Sequence, residues 1–109
     1  MKRGDIVLCA GKGPYASKPR PAVVIQTDEV DSIFPNVTLC PITSCAVENA
    51  DSFRIKLHPG KLNQLQKISF VMIDKVSIYP RNQIHPTQGK ISFAVQQKIN
   101  AALLNWLAL

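Results

Sequence analysis

The spacing of apolar and polar positions changes several times along this chain, and each change marks an element. Asp5–Ala10 (DIVLCA) is a short apolar run between Gly4 and Gly11, the pattern of a buried strand. Ala22–Thr27 (AVVIQT) repeats that pattern after the Gly/Pro/Ser-rich loop Gly11–Pro19. In Asn36–Ser44 (NVTLCPITS), Val37, Leu39 and Pro41 alternate with Thr38, Cys40 and Ile42. Pro41 has no N–H to give a ladder, which predicts a bulge or an end there. The clearest alternation is in FRIKLHPG, where Phe53, Ile55 and Leu57 point one way and Arg54, Lys56 and His58 the other. Ile68–Asp74 and Val76–Pro80 read as two further strands, followed by a polar, Pro-rich turn. The period then becomes 3.6: Val95, Ile99, Ala102, Leu103 and Trp106 form one stripe of a helix of about fifteen residues, with Ser92 as N-cap and Trp106 as a core anchor.

Five or six short strands and one terminal helix predict a mainly β protein with a C-terminal helix, folded as a small, strongly bent, partly open barrel. At 109 residues and 46% hydrophobic content, the chain suits one domain over residues 1–109. No stretch reaches transmembrane length and no signal peptide is evident, so the expectation is a soluble cytoplasmic protein without a membrane partner. Cys9, Cys40 and Cys45 are an odd number without a CxxC pair, in keeping with free thiols in a reducing compartment. Zinc held by Cys40, Cys45, His58 and His85 fits no tight knuckle spacing, and no metal or other cofactor is expected.

Charge adds a direction. The net charge is +6, and it is unevenly spread. Residues 1–51 carry five Lys/Arg against six Asp/Glu, whereas residues 52–109 carry eight Lys/Arg against Asp74 alone. A basic face built by the second half suits nucleic acid, an acidic protein or an anionic surface.

Two short motifs carry candidate chemistry. In SKPRPAVVIQTD, Arg20 stands between Pro19 and Pro21, so its backbone has little freedom. It is either a cation that keeps the start of an edge strand soluble or a preorganised guanidinium beside a cleft. In PITS, Thr43 and Ser44 put adjacent hydroxyls at a strand end, either closing a local turn or facing the same site as Arg20. Together a guanidinium and a hydroxyl can grip a phosphorane oxygen. On the alternating strand, Arg54, Lys56 and His58 recur about 6.6 Å apart, close to a nucleotide step, although such a stripe also serves to blunt an edge.

KRGDIV, KPRPAVVIQTD, PITS, FRI, VMIDKV and YPR occur in an order that resembles the MazF/PemK family of toxin endoribonucleases, in its short-loop branch. The resemblance covers Lys2 to Leu107. It implies an SH3-like barrel acting as a homodimer that binds single-stranded RNA and cleaves it without metal, leaving 2′,3′-cyclic phosphate and 5′-hydroxyl ends. It also implies a cognate acidic antitoxin that blocks the groove. By motif, Arg20 and Thr43 match the family's catalytic arginine and threonine. Tyr15, Lys18, Ser44, Arg54, Lys56, Lys75 and Arg81 are the expected RNA contacts. The chain departs from the family where some members place a glutamate: GKGPYASK has no acid, and KVSI offers Ser77 where an arginine is common. The general base is thus unassigned, with His58 and His85 as candidates because imidazoles titrate near neutral pH. Two other readings are a gyrase-targeting toxin similar to the CcdB family, to which Trp106-Leu107-Ala108-Leu109 is a poor match, and a non-catalytic SH3-like nucleic-acid-binding module.

Overall fold

In the computed structural model, which describes residues 1–10, 18–30 and 33–109, the chain builds seven strands and one helix. These are β1 (Asp5–Cys9), β2 (Arg20–Val24), β3 (Asn36–Thr43), β4 (Arg54–Leu57), β5 (Ser69–Met72), β6 (Ser77–Pro80), β7 (Ile84–Lys90) and α1 (Phe93–Trp106). All pairings are antiparallel, in the order β4-β5-β3-β2-β1-β7, with β6 added to β3. The end strands β4 and β7 are not paired with each other, so the sheet is open. Its two ends nevertheless meet, because the Lys90 N–H donates to the Leu62 carbonyl at 2.9 Å.

The sheet is apolar on both faces at its middle. Ile6, Val23, Cys40, Ile42, Ile55, Leu57, Val71 and Ile73 pack with Ile99 and Ala102 of α1. On the opposite face Val7, Cys9, Ala22, Val24, Val37, Leu39 and Ile84 form a second cluster. β3 passes from one cluster to the other: its buried residues are Val37 and Leu39, then Cys40 and Ile42.

Pro41 lies inside β3 and does not end it. The Thr38 carbonyl accepts from the Ile25 N–H at 3.2 Å, so the even-numbered backbone groups of β3 face β2. Pro41, an odd position, faces the other side, where the ladder to β6 stops at Leu39 and that to β5 starts at Ile42. Its missing N–H falls in that gap.

The expected turn after Pro80 is instead a 3-10 turn at Arg81–Gln83 followed by β7, which pairs with β1. Pro86 and Gly89 hid this strand, and its end position in the sheet accommodates both. At α1, Ser92 Oγ accepts from the Val95 N–H at 3.2 Å, the expected N-cap. Trp106 is not in the core: 46% exposed, it meets Phe53 edge-on with ring centroids 5.2 Å apart. Arg3 ties the N-terminus to the helix, donating to the Ile25 carbonyl and to Asn100 Oδ1.

Candidate active site

The register of the ladders places four side chains in one row. β2 and β3 pair Ala22 with Pro41 and Val24 with Leu39, and two further residues along this register bring Arg20 opposite Thr43. Thr43 is paired in turn with Phe70 of β5, and Phe70 with Lys56 of β4. Directly paired residues of an antiparallel sheet project to the same face, at strand spacings of about 4.8 Å. Arg20, Thr43, Phe70 and Lys56 therefore share one face, the one opposite the α1 cluster. Arg20 and Lys56 are exposed, and Thr43 and Phe70 are half-buried.

β2 lies between β1 and β3, so Arg20 does not solubilise an edge strand. It opens β2 beside Pro19 and Pro21 and lines a cleft of about 240 Å³ with Thr43 and Ser44. Thr43 Oγ1 accepts from the Cys45 N–H at 3.2 Å. That contact uses an acceptor position and leaves the hydroxyl proton for a ligand. The cleft is also lined by Gln66 and Lys67, from the connection into β5, and by Ser69 at the start of that strand. Sequence reasoning missed Gln66 and Lys67, and the only signal for them was a cation just ahead of a predicted strand.

The other expected contacts scatter. Tyr15 lies outside the described residues. Lys18 is exposed two residues before Arg20. Arg54 is not a free cation: its Nε and Nη2 donate to Asp74 Oδ1 and Oδ2 at 2.6 and 2.9 Å. The paired guanidinium holds the Asp74 carboxyl below the usual carboxylate range, and the carboxylate raises Arg54 in return. Lys75 is exposed at the end of the 3-10 turn Ile73–Lys75 and does not line the cleft. Arg81 Nη2 donates to the Phe34 carbonyl at 3.1 Å, away from the cleft.

Neither histidine reaches Arg20 and Thr43. His85 is an exposed member of β7, opposite Leu8, where a loop was expected. His58 follows β4 and lines a second, larger groove of about 860 Å³, with Lys56, Lys61, Lys90 and Lys98. The zinc set does not assemble either, and among the described residues no three His, Cys, Asp or Glu side chains come together. Cys40 is buried, and burial above all pushes its thiol up to about 12.

The cleft thus offers two cations, hydroxyls and a side-chain amide on the open face of a bent β-sheet. Such a set of groups matches the hydrogen-bonding needs of an anion better than those of an apolar ligand. A sequence model of the family of PemK-like, MazF-like toxins of type II toxin–antitoxin systems matches residues 2–107, and the chain belongs to that family. It is 35% identical to a probable endoribonuclease MazF of Mycolicibacterium smegmatis over 109 residues, covering 100% of this chain and 98% of that protein. In fold it is similar to a mycobacterial endoribonuclease solved in complex with its cognate antitoxin, at a TM-score of 0.81 and 17% identity over 100% of this chain and 96% of that one. A MazE–MazF complex from Deinococcus radiodurans gives a TM-score of 0.81 and 19% identity, over 100% and 97% of the two chains.

Proposed function

We propose that this toxin is a sequence-specific endoribonuclease that cleaves single-stranded RNA, in the cell cytoplasmic mRNA. The observation that carries the reading is that Arg20 and Thr43 line one cleft. The RNA 2′-hydroxyl attacks the adjacent phosphate, the 5′-oxygen leaves, and the products are a 2′,3′-cyclic phosphate and a 5′-hydroxyl. Arg20 grips the phosphate oxygens with its planar fork and stabilises the charge that builds on them. Flanking prolines matter because a misplacement of about 1 Å can cost ~100-fold in rate. Thr43 donates its hydroxyl proton to the same group. Phe70 offers a neighbouring base an aromatic face, and Lys56 meets a phosphate one step further along the row. The route runs on the chain's own residues, with neither metal nor cofactor.

The cognate antitoxin is an acidic segment, for which the lysine-lined groove supplies complementary charge. The working unit is a homodimer. The exposed Phe34 and Ile78, with Leu104 on α1 and Leu107 at its C-cap, leave apolar surface for a second copy. No described helix is long and apolar enough to cross a membrane. The test is cleavage of a long single-stranded RNA in EDTA with mapping of the new ends. Cuts at a short recurring sequence, bearing 5′-hydroxyls and lost in Arg20→Ala, are expected. Intact RNA with folded wild-type protein would overturn the reading.

A further inference from the structure

β4 ends the sheet, and among the described residues no strand pairs with its outer edge. The Ile73 N–H donates to the Phe53 carbonyl at 2.9 Å, which sets the phase of the ladder: the backbones of Phe53, Ile55 and Leu57 face β5. The N–H and carbonyl of Lys56 and the carbonyl of Arg54 therefore point away from the sheet, with no hydrogen bond to any described residue. Only the Arg54 N–H is turned back, to the Ala50 carbonyl at 2.8 Å. An unpaired edge of this kind is a template for one more strand.

That edge lies in the larger groove. All 4 residues of β4 line it, and side chains from both faces of a strand meet one groove along its edge. At about 860 Å³ the space suits an extended segment rather than a single side chain. Its lining describes the occupant. Val47 and Leu62 are 50% and 52% exposed there, and with Ile55, Leu57 and Val95 they offer apolar seats. Lys56, Lys61, Lys90 and Lys98 are exposed and pair with no described acid, while Asp51 is the only carboxylate among the described lining residues. A lysine on an edge strand can serve simply to discourage pairing. That purpose calls for neither apolar seats nor three further lysines from other elements. RNA phosphates would satisfy the lysines but not the Arg54 and Lys56 carbonyls, which need donors.

We propose that β4 is the docking edge for the acidic segment of the antitoxin, which joins the sheet as an extended strand of alternating carboxylate and apolar residues; this rests on the antitoxin reading above. Main-chain hydrogen bonds to Lys56 and Arg54 hold the segment. Its apolar side chains seat against Ile55, Leu57 and Val95, and its carboxylates meet the lysines. Lys56 and Phe70 line this groove and also belong to the row beyond Thr43, so the added strand and a bound RNA exclude one another.

The probe is a fluorescein-labelled synthetic peptide, EVEIEVEL, compared with its shuffled counterpart EEEEVIVL. The alternating peptide should bind the wild-type toxin at least about tenfold more tightly than the shuffled one and should displace single-stranded RNA. On binding, amide exchange at Lys56 should slow by at least about tenfold. N-methylation of one alternate set of peptide N–H groups should weaken binding by at least about tenfold and of the other set by less than about threefold, since only one edge of an extended chain faces β4. Lys56→Pro, whose missing N–H falls on the open side, should bind more weakly than Lys56→Ala. Binding that leaves Lys56 exchange unchanged, or that responds equally to the two N-methyl sets, would overturn strand addition while leaving the groove a site for an acidic ligand. Slowing of Lys56 exchange by single-stranded RNA but not by the peptide would give the groove to RNA and overturn the proposal. No binding of either peptide up to about 1 mM would overturn the antitoxin reading of the groove, and strand addition with it.

Discussion

Arg54 and Asp74 meet fork to fork, with Nε–Oδ1 at 2.6 Å and Nη2–Oδ2 at 2.9 Å, joining β4 to the 3-10 turn after β5. Their side chains are 14% and 27% exposed, so the pair is shielded more than a surface bridge. Asp74→Asn is expected to destabilise the fold by about 1–2 kcal/mol in urea unfolding, the scale of a charge-assisted bond. Its pH dependence has a fixed sign. The Asp74 carboxyl lies below its unfolded value in the native state, so its contribution is complete above about pH 4 and fades as pH falls through the folded value. Wild type and Asp74→Asn should converge in stability at the acid end and separate above it.

Arg20 and Thr43 should separate by chemistry rather than by charge. Arg20→Lys keeps a cation and loses the fork, so it should retain most RNA affinity and lose at least about 100-fold in cleavage rate. Thr43→Ser keeps the hydroxyl and should stay active, whereas Thr43→Val should not. Gel-shift affinity and single-turnover cleavage on the same RNA check both substitutions.

Much of this was legible in the chain. The alternation at Val37–Leu39 and at Ile55–Leu57, and the N-cap Ser92, follow from local rules, and the folded chain obeys them. The site was half legible: Arg20 and Thr43 sit in short motifs, but their meeting depends on register. Gln66 and Lys67 reach the cleft because β5, not the sequentially next β4, pairs with β3, and no periodicity announces that skip. Arg54, expected as an RNA contact, is engaged instead by Asp74, and that partner lies beyond the next strand, β5, out of reach of local pattern. Asp74 as the only acid after residue 51 was the available clue, since a lone carboxylate among eight cations is apt to be claimed by one of them.

Phe70 and Lys56 lie side by side in the row beyond Thr43, and their substitutions should read out differently. Lys56→Ala removes a phosphate contact and should flatten the salt dependence of single-stranded RNA binding by about 0.7 in log–log slope. Phe70→Ala removes a stacking face and should weaken binding by about 1–3 kcal/mol with the slope unchanged. Titrations at three salt concentrations distinguish the two. A salt slope unmoved by Lys56→Ala would remove that lysine from the RNA path.

Gly89, in β7, packs against the segment that leads into the cleft wall. A Cβ built on it would lie 2.6 Å from the Asn63 carbonyl oxygen, a backbone atom with no flexible end to swing away. Asn63 is the residue whose side chain ties His58, Gly60 and Leu65 together, and the neighbouring Lys90 N–H holds the Leu62 carbonyl. Gly89→Ala should therefore push the 58–65 segment off β7 and shift the wall that carries Gln66 and Lys67. Cleavage should fall by about tenfold or more, since displacements near 1 Å are costly in a positioned site, while affinity for RNA changes little. Amide exchange should show new opening at Leu65 and Lys90 with β1, β2 and β3 still protected. Unchanged exchange in the 58–65 segment together with wild-type cleavage would mean that this segment does not set the cleft wall.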